Sequence, residues 1–307
     1  PNDSTDLTTA ADAIYIGDGD YTSSFTKSTL APDAGDVDVW WQASDTYTNR
    51  GSTFLNNGAD SGTTLDAEFK AGVGASIPAV VTDDTNLRSR EYIAFTGADH
   101  HILQADNATL DLDGDFSMVL VIKFTDIAND NYEAFMAKDD TVGTWQWYKT
   151  NTNTITTSIS GADPTGGVTM VNNQWYILEW SRSGSTNTIY TDGVSEGTPA
   201  SNSLDMSSTD KLYIGKRNNA APLRFVGGIA EILIWENATL SADDRTILVR
   251  YLQDKYFNTP QVDVAYDSPG SSNITTKRLK TGTVHDLKTT RVRDTGTDGT
   301  DIVALYE

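Results

Sequence analysis

Cysteine is absent from all 307 residues. Disulfide staples, thiolate metal sites and cysteine nucleophiles are therefore excluded, and packing alone must hold the fold. Basic residues are scarce, with 22 Lys and Arg against 43 Asp and Glu, for a formal net charge of −21. A surface of that sign repels nucleic-acid phosphate and anionic lipid, so neither nucleic acid nor membrane insertion is expected. It also suits high salt, where screening removes most of the self-repulsion. No apolar run approaches the roughly 20 residues of a membrane span, and no secretory signal pattern opens the chain. Because the chain begins at Pro1, removal of an initiator methionine or a longer leader is expected. The chain holds no G-x-S-x-G, P-loop, H-E-x-x-H or complete dinucleotide glycine fingerprint. Histidine occurs at 100, 101 and 285 only. Adjacent residues alternate across a strand, so His100 and His101 do not readily share a metal.

Among what is present, 38% hydrophobic residues, 24 glycines and few helical periodicities point to an all-β protein rich in turns. Strands are expected over Val37–Trp41, Glu91–Asp99, Ala134–Ala137, Thr144–Tyr148, Ile155–Ile159, Gln174–Arg182, Thr188–Val194 and Leu212–Gly215. Phe116–Phe124 is almost wholly apolar, as a strand covered on both faces would be. Asp192-Gly193 is a tight hairpin turn in the making. The organising stretch is Phe225–Phe257: an apolar run of strand length over Ile229–Trp235, a break at Asn237–Leu240, then a short helix. Ser241 is its N-cap and Asp244 completes a capping-box pattern. Ile247, Leu248, Tyr251 and Leu252 share one helical face that must lie on something apolar. Residues 1–36 read as a polar N-terminal arm closed by the linker-like Pro32–Gly35. Residues 259–307 form a C-terminal extension with short strands, in which six basic residues between Lys277 and Arg293 face only Asp286.

The order Trp40–Asp45, Ile93–Asp99, the strand from Phe116, Asn173–Tyr176, Tyr190–Val194, Leu212–Gly215 and the closing strand and helix resembles a laminin-G-like domain. Such domains belong to the concanavalin A-like lectin/glucanase superfamily, and the resemblance covers about residues 37–258. It implies a two-sheet antiparallel jelly-roll sandwich with one short helix near its C-terminal end, flanked by N- and C-terminal extensions. Glycosidases on this scaffold set carboxylates two and three residues apart along one strand. That Glu-x-Asp-x-x-Glu pattern is missing, so no enzyme is expected; Glu231 and Glu236 read as rim charges. Standalone, acidic, cysteine-free domains of this family with flanking arms resemble virion components. The expected function is that of a non-catalytic surface structural protein: a phage or virus decoration, head-fibre or tail-fibre component on the virion surface, able to adhere to a cell-surface glycan. Its partners would be other structural subunits, reached through residues 1–36 and 259–307. The alternative is an extracellular carbohydrate-binding module or adhesin domain.

Two candidate sites follow. Trp145, Trp147 and Tyr148 are the ligand platform, since indole and phenol faces stack on the C–H faces of sugars; packing of one of these faces into the core competes with that role. Relatives of this fold often hold calcium in rim loops, and Asp139, Asp140, Asn218 and Asn219 supply the loop oxygens for such a metal. Asp111–Asp115 is not an EF-hand, lacking Gly at its sixth place and Glu at its twelfth, and is expected as the turn before the strand from Phe116.

Overall fold

The computed structural model describes residues 4–11, 13–16, 37–43, 53–54, 67–70, 77–81, 85–127, 132–138, 145–159, 165–201, 206–217, 223–257, 261–267, 274–280, 284–285, 289–293 and 302–305. The chain divides into two compact units, one of residues 26–252 and one of residues 1–25 with 253–307.

The second of these units is built from both ends of the chain. Its strands are β1 (Ser4–Ala11) and β2 (Ala13–Ile16) from the N-terminal side; the remaining strands of the unit follow residue 260. Among the described residues the first unit holds sixteen strands. They run β3 (Val39–Gln42), β4 (Thr53–Phe54), β5 (Ala67–Lys70), β6 (Ala79–Val81), β7 (Tyr92–Thr96), β8 (His101–Gln104), β9 (Phe116–Phe124) and β10 (Glu133–Lys138). Next come β11 (Trp145–Lys149), β12 (Thr154–Ser158), β13 (Thr165–Thr169), β14 (Trp175–Ser183), β15 (Thr186–Thr191), β16 (Val194–Ser201), β17 (Leu212–Ile214) and β18 (Val226–Glu236). Helix α1 (Ala242–Tyr256) follows β18. Beyond it lie β19 (Gln261–Asp267), β20 (Ile274–Lys280), β21 (Val284–His285), β22 (Thr289–Arg293) and β23 (Ile302–Leu305).

The first unit is a sandwich of antiparallel sheets. One has the order β4-β5-β8-β17-β10-β11-β12-β13 and the other the order β16-β15-β14-β9-β18, with β7 and β6 continuing beyond β18. A single Thr165–Thr198 pairing joins the two at one edge. Alternation explains the core. On β9, Phe116, Met118, Leu120, Ile122 and Phe124 point between the sheets, as do Tyr176, Leu178 and Trp180 on β14 and Ile229, Ile232 and Ile234 on β18. Every residue of β9 is buried, as its composition requires. The β18 strand changes partner along its free edge, from β7 at Val226–Ile229 to β3 at Glu231–Ile234. The change falls at a bulge between Ile229 and Glu231, where a local bend is built in.

The outer face of the β9/β14/β18 sheet is also covered. Val119, Val121, Ile177, Leu233 and Trp235 are buried there, and α1 contributes Leu248 and Leu252. The capping geometry forms as expected: Ser241 Oγ accepts from Asp244 N (3.2 Å) and donates to Asp244 Oδ2 (2.7 Å). Arg245 anchors the helix with a double hydrogen bond to the buried Glu179 (2.7 and 2.9 Å) and lies 3.7 Å from the Tyr190 ring centroid. Ile247 departs from the expectation. It sits at the edge of the apolar stripe and is 38% exposed, whereas Leu248, Tyr251 and Leu252 are buried. Asp192 (φ 51°) and Gly193 (φ 83°) both take positive φ, so the two-residue β15–β16 turn matches the hairpin twist.

Candidate functional site

Strand β11 decides which face of its sheet can meet a ligand. Its burial alternates, with Trp145, Trp147 and Lys149 facing the interior and Gln146 and Tyr148 facing out. Trp145 and Trp147 pack edge-on against Trp180, and Trp147 also meets Phe135. Neither indole has a face left for a sugar, which corrects their expected place in a ligand platform. The reason is elementary: residues two apart on a strand share a face, and here that face is the core. Tyr148, one residue on, lies on the opposite face and is half-buried.

Tyr148 has a companion that sequence reasoning missed. Tyr132, just before β10, is 45% exposed and its ring centroid lies 6.0 Å from that of Tyr148, at 44°. Directly beneath this outer pair, Glu133 and Lys149 are register partners on the inner face. Lys149 Nζ reaches Glu133 Oε1 at 3.4 Å and Asn153 Oδ1 at 3.0 Å, while Glu133 Oε2 accepts from Val226 N at 3.0 Å. Burial pushes the Glu133 carboxyl above its ordinary value, and the Val226 N–H and the Lys149 charge pull part of that back.

Polar groups flank the rings. Thr156 stands across from Tyr148 and Ser158 across from Gln146. At the β11–β12 turn the hydroxyls of Thr150, Thr152 and Thr154 lie 2.8–3.4 Å apart. From the other side Arg217 Nη1 donates to Gln146 Oε1 at 3.2 Å. Across from Gln146 and Tyr148 on β10 stand Ala137 and Ala134, small residues over which a long side chain can lie.

Arg217 belongs to a short antiparallel ladder that follows β17. The Lys216–Arg224 bridge and the Arg217 N to Leu223 O bond (2.9 Å) form it. Gly215 starts it at φ 93°, a conformation favouring glycine, and a Cβ there would fall 2.3 Å from the Phe95 ring. Asp99 clamps it, accepting from Lys216 Nζ at 3.1 Å with Arg224 Nε at 3.8 Å. Burial works against ionisation of Asp99, but the Lys216 hydrogen bond and the two cations outweigh it and hold its pKa below the usual value. His101 Nδ1 donates to the Asp99 carbonyl (3.1 Å) and its ring lies 5.7 Å from Tyr213. Burial lowers the pKa of both His100 and His101.

The four calcium candidates, Asp139, Asp140, Asn218 and Asn219, lie outside the described residues. Among the described residues no three His, Asp or Glu side chains cluster as metal ligands, and no helix is long and apolar enough to cross a membrane. In the Asp111–Asp115 turn, Asp111 binds Lys138 and accepts from Ser208 N (3.2 Å), while Asp115 Oδ1 accepts from Gly184 N (2.6 Å). Glu231 is not a rim charge. It is wholly buried and accepts from Trp40 Nε1 at 2.5 Å, because the β18 bulge turns it onto the covered outer face. Glu236 is half-buried.

A two-sheet antiparallel sandwich closed by one helix defines the class of fold, that of the concanavalin A-like proteins. Residues 95–244, just under half of the chain, match the Laminin_G_3 family of the Concanavalin A-like lectin/glucanases superfamily. No curated protein matches the chain in sequence. Three solved structures are similar to it. Domain 4 of AbnA, a GH43 extracellular arabinanase from Geobacillus stearothermophilus in complex with arabinotriose, is 15% identical with a TM-score of 0.50, over 69% of this chain and 98% of that one. The binding domain of Paraclostridial Mosquitocidal Protein 1 is 10% identical with a TM-score of 0.52, over 69% of this chain and 51% of that one. Trypanosoma rangeli sialidase in complex with sialic acid is 11% identical with a TM-score of 0.50, over 70% of this chain. The chain spans about a third of the sialidase's length, 32%. At these identities the likeness is one of fold.

These neighbours correct the expectation that the chain is not an enzyme. Its fold recurs in a sialidase and in a domain of an arabinanase. The fold does not by itself show catalysis. Equally, one missing carboxylate motif does not exclude it, since that motif describes one way of arming a sandwich and not every way.

Proposed function

We propose that the chain binds glycans on the outer face of the β10/β11/β12 sheet, with Tyr132 and Tyr148 as the stacking platform. The observation that carries this is the Tyr132–Tyr148 pair, in which Tyr132 is exposed and Tyr148 half-buried, beside the buried Glu133–Lys149 ion pair. Gln146, Arg217 and Thr154 stand within the same surface to bind hydroxyls, which is the usual division of labour in a sugar site. A neighbour of the same fold holds arabinotriose, which supports the ligand class. Glycan-array screening followed by calorimetry tests the reading. Binding should fall about fivefold to tenfold in Tyr148→Ala and in Tyr132→Ala, as expected for losing one ring contact. Unchanged binding in both variants, or no binding to any glycan, would sink it.

As to setting, we infer a surface component of a phage or virus particle, docked to other subunits through residues 1–36 and 259–307. The acidic body and the basic run from Lys277 to Arg293 support this, since complementary charge steers assembly. Light scattering on the full chain checks it: assemblies should form at low salt and dissociate as salt rises. A monomer at every salt concentration would leave the secreted carbohydrate-binding module as the setting.

A further inference from the structure

The two tyrosines of the proposed glycan face are not coplanar. Their ring planes meet at 44° and their centroids lie 6.0 Å apart. Tyr132 is 45% exposed and Tyr148 half-buried. Tyr148 pairs with Ala134 of β10, two residues beyond Tyr132. A shift of register between Ala134 and Met136 marks a bulge in the same pairing, and bulges increase local twist. The dimensions decide how such a pair can be used. A clamp holding one sugar between two rings needs a carbon–carbon contact on each face, or roughly 7–8 Å from ring to ring. At 6.0 Å the space is too narrow, so each ring must serve a different sugar. Neighbouring sugars of one chain, each lying on its own ring, are then turned from one another by about the angle between the rings. A flat ribbon, whose sugars share one mean plane, can lie on one tyrosine but not on both at once.

We propose that the ligand is a glycan whose chain turns from one sugar to the next, as in amylose or laminarin, with successive sugars on Tyr132 and Tyr148, and not a flat ribbon of the cellulose kind. This rests on the glycan-binding reading and adds the class of chain. The pair reads linkage more than sugar identity, because the C–H faces of different sugars stack on a phenol ring in the same way. A ribbon forgoes one of the two ring contacts, which is about fivefold to tenfold in affinity.

The test is calorimetry with neutral hexasaccharides of equal length and different linkage. Cellohexaose and β-mannohexaose extend as flat ribbons, whereas maltohexaose, laminarihexaose and arabinohexaose turn. At least one turned chain should bind about fivefold to tenfold tighter than either ribbon. Tyr132→Ala should remove that preference, because one remaining ring has no angle to impose, while Tyr132→Phe should keep it. A ribbon bound as tightly as the best turned chain, or a preference that persists in Tyr132→Ala, overturns the assignment. If ribbon binding then falls in Tyr148→Ala, the glycan-binding reading survives that result. Failure of every probe to bind the wild-type protein overturns the assignment of chain class, and an equally silent glycan array takes the wider reading with it.

Discussion

At the scale of single residues, the division of β11 into an inner and an outer face determines what each aromatic does. Trp147 is wholly buried, and its indole N–H meets no acceptor among the described residues, so its contribution is apolar contact with Phe135 and Trp180. Trp147→Ala should therefore cost about 3–5 kcal/mol of stability, the range for deleting a large buried aromatic. Trp147→Phe should cost much less, because it also removes an unpaired donor. Urea denaturation of both variants checks this; equal losses would mean that the N–H matters. The histidines give a pH prediction. Burial holds His100 and His101 below their ordinary 6.5, so the folded state resists protonating them. Their contribution is then complete above pH 6.5 and lost as pH falls through the lowered folded values. Acidification also relieves self-repulsion in so acidic a chain, so the comparison must be between variants. Melting temperatures at pH 7.5 and 5 should show a larger acid loss in wild type than in a His100→Asn/His101→Asn variant. The same acid loss in both would refute it. Tyr148 was legible as a site candidate from its aromatic type. That Trp145 and Trp147 turn inward depends on the phase of one strand, which no local pattern in W-Q-W-Y-K fixes.

At the scale of elements, the long strands, the hairpins and the helix were legible because each carries its own signal. Examples are the almost wholly apolar run of β9, the Asp192-Gly193 turn and the Ser241 cap. Arg217 was not legible. It reaches Gln146 across 71 positions of sequence, and only the pairing of β17 with β10 and β10 with β11 brings them together. Glu179 and Arg245 are a comparable long-range pair, joining the middle of β14 to α1 with both charges buried. Desolvation makes such a pair costly to assemble and more costly to break. Arg245→Ala should destabilise the sandwich by about 3–5 kcal/mol, since Glu179 is left charged and unpaired. Adding Glu179→Met to that variant should recover a large part of the loss. A double-mutant cycle by urea denaturation measures the coupling, and additive losses would show that the two side chains act independently.

At the scale of the whole molecule, the chain's two ends meet in one unit, an arrangement invisible to any reading that moves along the sequence. The order of one small sheet is β1-β22-β19-β20 and of the other β21-β2-β23, so strands from before residue 17 pair with strands from beyond residue 260. Register sets Asp6 and Asp267 opposite Arg291, and Asp263 opposite Arg278. The basic run near the C-terminus thus has acids across from it within its own unit, whatever else it docks against. The topology makes the consequence of losing residues 1–16 specific. The β21 and β23 strands pair only with β2 among the described strands, whereas β22 would keep β19, and β19 would keep β20. Two short strands without a partner have no ladder to protect their amides. Hydrogen exchange on a chain lacking residues 1–16 should therefore show residues 284–285 and 302–305 exchanging as in an unfolded peptide, residues 261–280 partly protected, and β9 and β18 unchanged. Protection persisting at 302–305 would show that this strand is held by something other than the N-terminal segment.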